Sequence, residues 1–170
     1  MNELFPIPVN HDELVTKAEK WLRNTCGCGV VFAEFKASTN EIPDVLGWKW
    51  NYSILVECKT SRSDFLADKK KPFRKLPESG MGNYRFFLTP ENLVTVKDLP
   101  QNWGLLYSTK RGIKVVHGAE RKVKKGGVPN CFTYHQEANI QAEKSMLISA
   151  CRRLHLRGLL SKIYEPLNEE

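Results

Sequence analysis

Residues 43–60 read PDVLGWKWNYSILVECKT. Two runs rich in Val, Ile, Leu and aromatic residues flank Trp50-Asn51, which predicts a hairpin with strands from about Pro43 to Trp50 and from Ser53 to Thr60. A turn centred on Trp50-Asn51 sets Asp44 opposite Glu57. Directly opposed side chains have β-carbons roughly 4.5–5.5 Å apart, where two like charges destabilise the pair. A slip of two residues would keep both acids on one face without opposing them. Lys59 lies two residues beyond Glu57 and so shares its face.

Something must offset that repulsion, and a divalent cation does so. Octahedral Mg²⁺ takes one or two carboxylates, with waters and phosphate oxygens completing its shell. Hard cations also accept backbone oxygen, so the metal candidates are Asp44, Glu57 and the carbonyl of Cys58. Lys59 is placed to orient a water and to stabilise charge building on a phosphodiester. Glu34, on the preceding strand, is a further carboxylate for the same site. Glu-x-Lys alone is ordinary usage for a charged surface strand. Its weight here comes from the apolar flank, the Pro-Asp opening of the partner strand and the order of elements around it.

That order reads outward from the hairpin. Asn10 and Glu13 form a capping pair, and Leu14, Ala18, Trp21 and Leu22 recur at helical spacing, predicting a helix from about His11 to Asn24. A strand follows from Val30 to Lys36. Beyond Thr60, Ser61 and Asp64 offer helix starts, Phe65, Leu66 and Lys69 continue a short helix, and Pro72 stops it. Tyr84 to Leu88 is a short apolar run with the look of a buried strand. "WGLLYS" and "GIKVVHG" predict a second hairpin through Lys110-Arg111-Gly112. Leu147, Ala150, Cys151 and Leu154 predict a C-terminal amphipathic helix with its arginines outward. The fold class expected is α/β, helix–three strands–helix–strand around a mixed sheet, with C-terminal strands and a helix added.

The chain has 170 residues, 41% hydrophobic and 10% aromatic, which suits a single domain over 1–170. No stretch is long and apolar enough for a membrane span, and the N-terminus lacks a secretory layout, so the expectation is cytoplasmic with no membrane partner. Five cysteines without framework spacing argue against a disulfide scaffold, and Cys26-Gly27-Cys28 reads as a tight loop rather than half a zinc site. A net charge of +7 suggests a polyanionic partner. The cations cluster at Lys69, Lys70, Lys71, Arg74 and Lys75, at Arg121, Lys122, Lys124 and Lys125, and at Arg152, Arg153 and Arg157. Any one cluster is ordinarily a solvated face, whereas three near one cleft would be a phosphate track. His11, His117, His135 and His155 show no metal-ligand spacing and read as structural. Trp48, Trp50 and Tyr52 either stack on splayed bases or shield the sheet.

Pro43-Asp44, twelve residues, then Glu57-Cys58-Lys59 resembles the PD-(D/E)xK nuclease superfamily, whose core order αβββαβ agrees with the reading above. The run ECKTSRSDFLADKKK is similar to the MmcB-like DNA-repair branch, which also carries a strand glutamate where Glu34 stands. The resemblance covers about Val30 to Lys71. It implies a restriction-endonuclease-like core, metal ligation by Asp44 and Glu57, catalysis by Lys59, and support from Glu34. Members often add an acid from the first helix, here Glu19. They often also place a glutamine or lysine on the second helix, a role that falls here to Arg62, to Lys69 or to no residue, since no glutamine follows Lys59 until Gln101.

The activity expected is Mg²⁺- or Mn²⁺-dependent hydrolysis of DNA phosphodiesters, in repair, recombination or phage DNA processing. RNA stays open as a substrate and a homodimer as an assembly. Arg62, Lys69, Lys70, Lys71, Arg74, Lys122, Lys124 and Lys125 are the candidates for holding the nucleic-acid backbone. The alternative is a catalytically silent protein on the same fold that binds nucleic acid or protein.

Overall fold

In a computed structural model, which describes residues 9–120 and 131–166, the chain turns at Trp50-Asn51 as the hairpin pattern requires. Strands β2 (Val45–Lys49) and β3 (Tyr52–Cys58) pair antiparallel, with Lys49 opposite Tyr52 and Val45 opposite Val56. One step past that last pair stand Asp44 and Glu57, as the register expected. β1 (Val30–Ala33) adds antiparallel to β2. It stops three residues earlier than the sequence pattern suggested, because Glu34 takes a left-handed conformation with φ 47° and turns the chain out of the sheet. β4 (Tyr84–Pro90) and β5 (Gly104–Thr109) extend the sheet in parallel from β3, and β6 (Gly112–His117) closes it antiparallel to β5. Among the described residues the result is a mixed six-stranded sheet in the order β1 to β6, with a small pair, β7 (Ala119–Glu120) and β8 (Cys131–Phe132), beside it.

Helices cover both faces, and the side-chain alternation of β3 explains why. Ile54, Val56 and Cys58 face one way and pack with Leu14, Ala18 and Leu22. The first two of these lie on α1 (His11–Lys20). That helix ends four residues before the predicted Asn24, where Trp21–Thr25 widens into a π turn. Leu55 faces the other way, into a cluster with Phe87, Leu105, Trp103, Phe65 and Met146. Phe65 belongs to α2 (Arg62–Asp68), started by Ser61, whose hydroxyl accepts the Asp64 N–H. Pro72 ends nothing that was still helical. It opens a separate turn, α3 (Pro72–Lys75), at a first-turn position where its missing N–H costs nothing.

The C-terminal helix, α4 (Ile140–Leu156), differs from its predicted amphipathic stripe. Its buried residues are Glu143 and Met146, while Cys151 and Leu154 are exposed. A carboxylate sits at the core-facing position because it has partners there: Glu143 accepts from the Trp48 indole, the Ser53 hydroxyl and the Gly82 N–H at 2.8–2.9 Å. Buried Arg85 on β4 is satisfied similarly, by the carbonyls of Pro77, Gly80, Gly82 and Glu137. Burial lowers its guanidinium pKa to about 10. Among the described residues, no helix is long and apolar enough to cross a membrane.

Candidate functional site

β3, β4 and β5 run parallel, so their C-terminal ends lie together, and the chemistry-bearing residues gather at that end of β3. Asp44 is the joint between two groups. Its Oδ2 accepts the Cys58 N–H at 2.7 Å and lies 3.8 Å from Lys59 Nζ, while Oδ1 is 3.8 Å from His11 Nε2. The Cys58 N–H is thus committed to Asp44. Its thiol is buried, and burial raises its pKa well above the ordinary value.

The outer group is His11, Glu34 and Asp44. Asn10 caps α1 by accepting the Glu13 N–H at 2.7 Å, which fixes His11 at the first helical position. The left-handed turn at Glu34 brings its N–H to the Asp44 carbonyl at 2.9 Å and its carboxylate to 3.2 Å from His11 Nε2. Such a conformation in a non-glycine residue costs about 1–3 kcal/mol and persists where the surroundings demand it. One donor atom from each of the three residues lies within 4.8 Å of the other two. Sequence reasoning read His11 as structural. No spacing could reveal it, because it meets Glu34 and Asp44 only through folding.

The inner group is a buried ion network. Lys59 Nζ lies 3.2 Å from Glu57 Oε2 and 3.4 Å from Asp68 Oδ1. The Arg74 side chain, 2% exposed, places Nε 2.7 Å from Asp68 Oδ2, Nη1 2.7 Å from Glu41 Oε1 and Nη2 3.2 Å from Glu57 Oε1. Lys71 joins at 2.7 Å from Asp68. The second Glu41 oxygen accepts the Met81 N–H. Four carboxylates, Glu41, Asp44, Glu57 and Asp68, therefore meet three basic side chains, Lys59, Lys71 and Arg74.

The unbalanced charge shows in the titration of Glu57. Burial and then Asp44 push its pKa up to about 7, and Arg74 and Lys59 only partly oppose them. Asp68 goes the other way: burial opposes its ionised form, but Arg74, Lys59 and Lys71 outweigh it and hold the pKa below the ordinary value. Burial also disfavours the Lys59 ammonium, and Glu57, Asp44 and Asp68 more than offset that, so Lys59 stays charged through the physiological range.

A stability prediction follows from the raised Glu57 pKa. Between its ordinary value of 4.5 and about 7, the folded state holds the proton and the unfolded chain does not, so stability from this group falls as pH rises through that window. Glu57→Gln removes the penalty, while Lys59 keeps Asp44 and Asp68, and Arg74 keeps Glu41 and Asp68. Expected is a Tm a few degrees above wild type at pH 8, with the difference vanishing near pH 4.5, measured by calorimetry across pH.

Of the other sequence candidates, Arg74 is a correction. It is buried in the network rather than lining a phosphate track, because α3 folds back against the carboxylates. Arg62 is committed to Asp98 at 2.6 Å, and Lys69 donates to the Asp98 carbonyl and lies over the Phe65 ring. Lys70 is exposed. Lys71 faces Asp68 and Glu57. Asp68 is a buried member of the network. Glu19 pairs with Arg23 at 2.9 Å, eight residues along the helix from His11 and so about 12 Å away. It does not join the site. Arg153 donates to the Lys36 carbonyl and covers the Phe35 ring. Arg121, Lys122, Lys124 and Lys125 lie outside the described residues. Glu41, missed in the sequence, gave no local signal, since its partners come from α3 and the Met81 segment.

Fold and site together define an α/β protein with a mixed six-stranded sheet and a carboxylate-rich cluster at the end of its central strand. The chain is similar in structure to the SPO1766 protein of unknown function from Silicibacter pomeroyi, with a TM-score of 0.55 and 20% identity, over 96% of this chain and 100% of that one. No family model matches the sequence, and no curated protein does.

Proposed function

We propose that the protein is a metal-dependent nuclease acting on DNA, built on the restriction-endonuclease-like plan of the PD-(D/E)xK superfamily. The observation that carries this reading is the position of Asp44. One carboxylate joins an open group of cation-binding donors to a buried Glu57–Lys59 pair at the end of the central strand.

The donor chemistry fits a divalent cation at His11, Glu34 and Asp44, with side-chain exposures of 38%, 54% and 18%. Two carboxylates and an imidazole suit Mn²⁺ at least as well as Mg²⁺, since imidazole favours transition metals. Glu57 is a poorer ligand than its sequence motif implies, because both oxygens are engaged by cations and its side chain is 1% exposed. A cation held there would supply a nucleophilic water at neutral pH and charge for the scissile phosphate. Lys59, permanently protonated, stabilises negative charge rather than acting as a base. Glu57 and Asp68 hold that ammonium in place and act through it.

The test is an assay on supercoiled, linear, single-stranded, branched and RNA substrates with Mg²⁺, Mn²⁺ or EDTA. Expected are metal-dependent products, at least as fast with Mn²⁺ as with Mg²⁺, and inhibition by salt because the backbone is held by charge. A second reading, a silent binding protein, is favoured by the closure of Glu57 behind Lys59 and Arg74. Retained nucleic-acid binding with no product under any condition would select it.

A further inference from the structure

At the other end of the hairpin, Trp50 breaks two rules at once. The residue is 88% exposed, and its backbone is left-handed with φ 53°, in a turn position that glycine or asparagine normally fills. The register is held by the β2–β3 ladder and by half-buried Tyr52. Trp48, by contrast, is tied down by Glu143 and packs on Phe32, so it shields the sheet.

Trp50 is also the first of a row of rings. Tyr52 meets it edge-on at 6.5 Å, Tyr84 meets Tyr52 at 5.4 Å, and exposed His135 meets Tyr84 at 5.4 Å. The Lys49 ammonium lies 5.0 Å from the Trp50 ring centroid. Lys49 is itself buried and donates to the Cys26 carbonyl at 2.8 Å, so the shelf offers aromatic surface to solvent, on a chain whose net charge is +7. Those are the two components with which proteins hold unpaired strands, by stacking bases and attracting backbone. Tyr52 lies about 17 Å from Glu57 along β3, with its side chain on the opposite face of the sheet.

We propose that Trp50, backed by Tyr52 and Tyr84, is a stacking platform for unpaired bases. The substrate class of the site would then be single-stranded or locally melted nucleic acid. This rests on the nuclease reading and names its substrate.

The experiment is done in EDTA, so that binding is separated from cleavage. Wild type and Trp50→Gly are titrated with an oligothymidylate of about 15 nucleotides, with duplex DNA and with inorganic polyphosphate, following tryptophan emission and the anisotropy of labelled strands. Expected for wild type is quenching by the oligothymidylate and none by polyphosphate, because Trp21 and Trp103 are buried, Trp48 is partly buried with its indole N–H bound to Glu143, and Trp50 is exposed. Expected for Trp50→Gly is loss of quenching, roughly tenfold weaker single-strand binding, unchanged duplex binding and a Tm equal to wild type or higher. Equal single-strand affinity in the variant would overturn the platform and leave the nuclease reading standing, as would weakened binding accompanied by a lowered Tm. If wild type binds neither single strand nor duplex, the nuclease reading itself fails.

Discussion

Replacing Asp44 with asparagine is expected to lower cleavage by about a thousandfold or more while leaving affinity for nucleic acid unchanged or slightly raised. The size follows from what the residue joins. It is shared by the open donors His11 and Glu34 and by the Lys59 ammonium, so losing its charge removes a metal ligand and loosens the lysine in one step. Removing a single electrostatic contact to a developing charge already costs about 10²–10³ in rate, and a lost metal adds to that. Asparagine is the informative choice because it still offers an oxygen to the Cys58 N–H, which sits 2.7 Å from Oδ2. Alanine would orphan that donor at a cost of about 1–3 kcal/mol and confuse folding with chemistry. Cleavage, anisotropy and Tm measured on the same preparation decide the matter. An Asp44→Asn protein that cuts at the wild-type rate would remove the nuclease reading.

The hairpin and its acids were legible because two local signals agree. The apolar runs fix two strands, and a two-residue turn at Trp50-Asn51 fixes the register, so the positions of Asp44 and Glu57 follow with no knowledge of the rest of the chain. The parallel extension through β4 and β5 was legible only as separate apolar runs, since pairing between distant segments leaves no local mark. Burial of charge was least legible. Lys69, Lys70, Lys71 and Arg74 form one basic run in the sequence, yet folding sends Lys69 to Asp98, Lys71 and Arg74 to Asp68, and Lys70 to solvent. Charge predicts exposure only when no counter-charge waits inside, and the counter-charges Glu41, Glu57 and Asp68 come from three different segments. The same holds on α4, where the apolar stripe through Cys151 and Leu154 stays outside because Glu143 finds three donors inside.

Arg74→Met is expected to destabilise the protein by about 3–5 kcal/mol at pH 8, the usual cost of removing one partner from a buried ion pair. For a chain of this size that lowers Tm by about 10 °C. Methionine keeps much of the volume, so the loss reports charge rather than a cavity. With Arg74 gone, Glu41, Glu57, Asp68 and Asp44 face only Lys59 and Lys71, and Glu57 already sits at a pKa of about 7 with the arginine present. The remaining carboxylates then hold protons more tightly in the folded state than in the unfolded chain. Stability of the variant must therefore rise as pH falls from 8 toward 5, and the gap to wild type must narrow over that range. Lys70→Met is the control: its side chain is exposed, so Tm should move by less than about 0.5 kcal/mol equivalent while any nucleic-acid affinity becomes less salt-sensitive. Urea unfolding of both variants at pH 5 and pH 8 separates the cases. An Arg74→Met protein as stable as wild type at pH 8 would mean that the arginine is not neutralising the network and that the carboxylates are already held by some other cation.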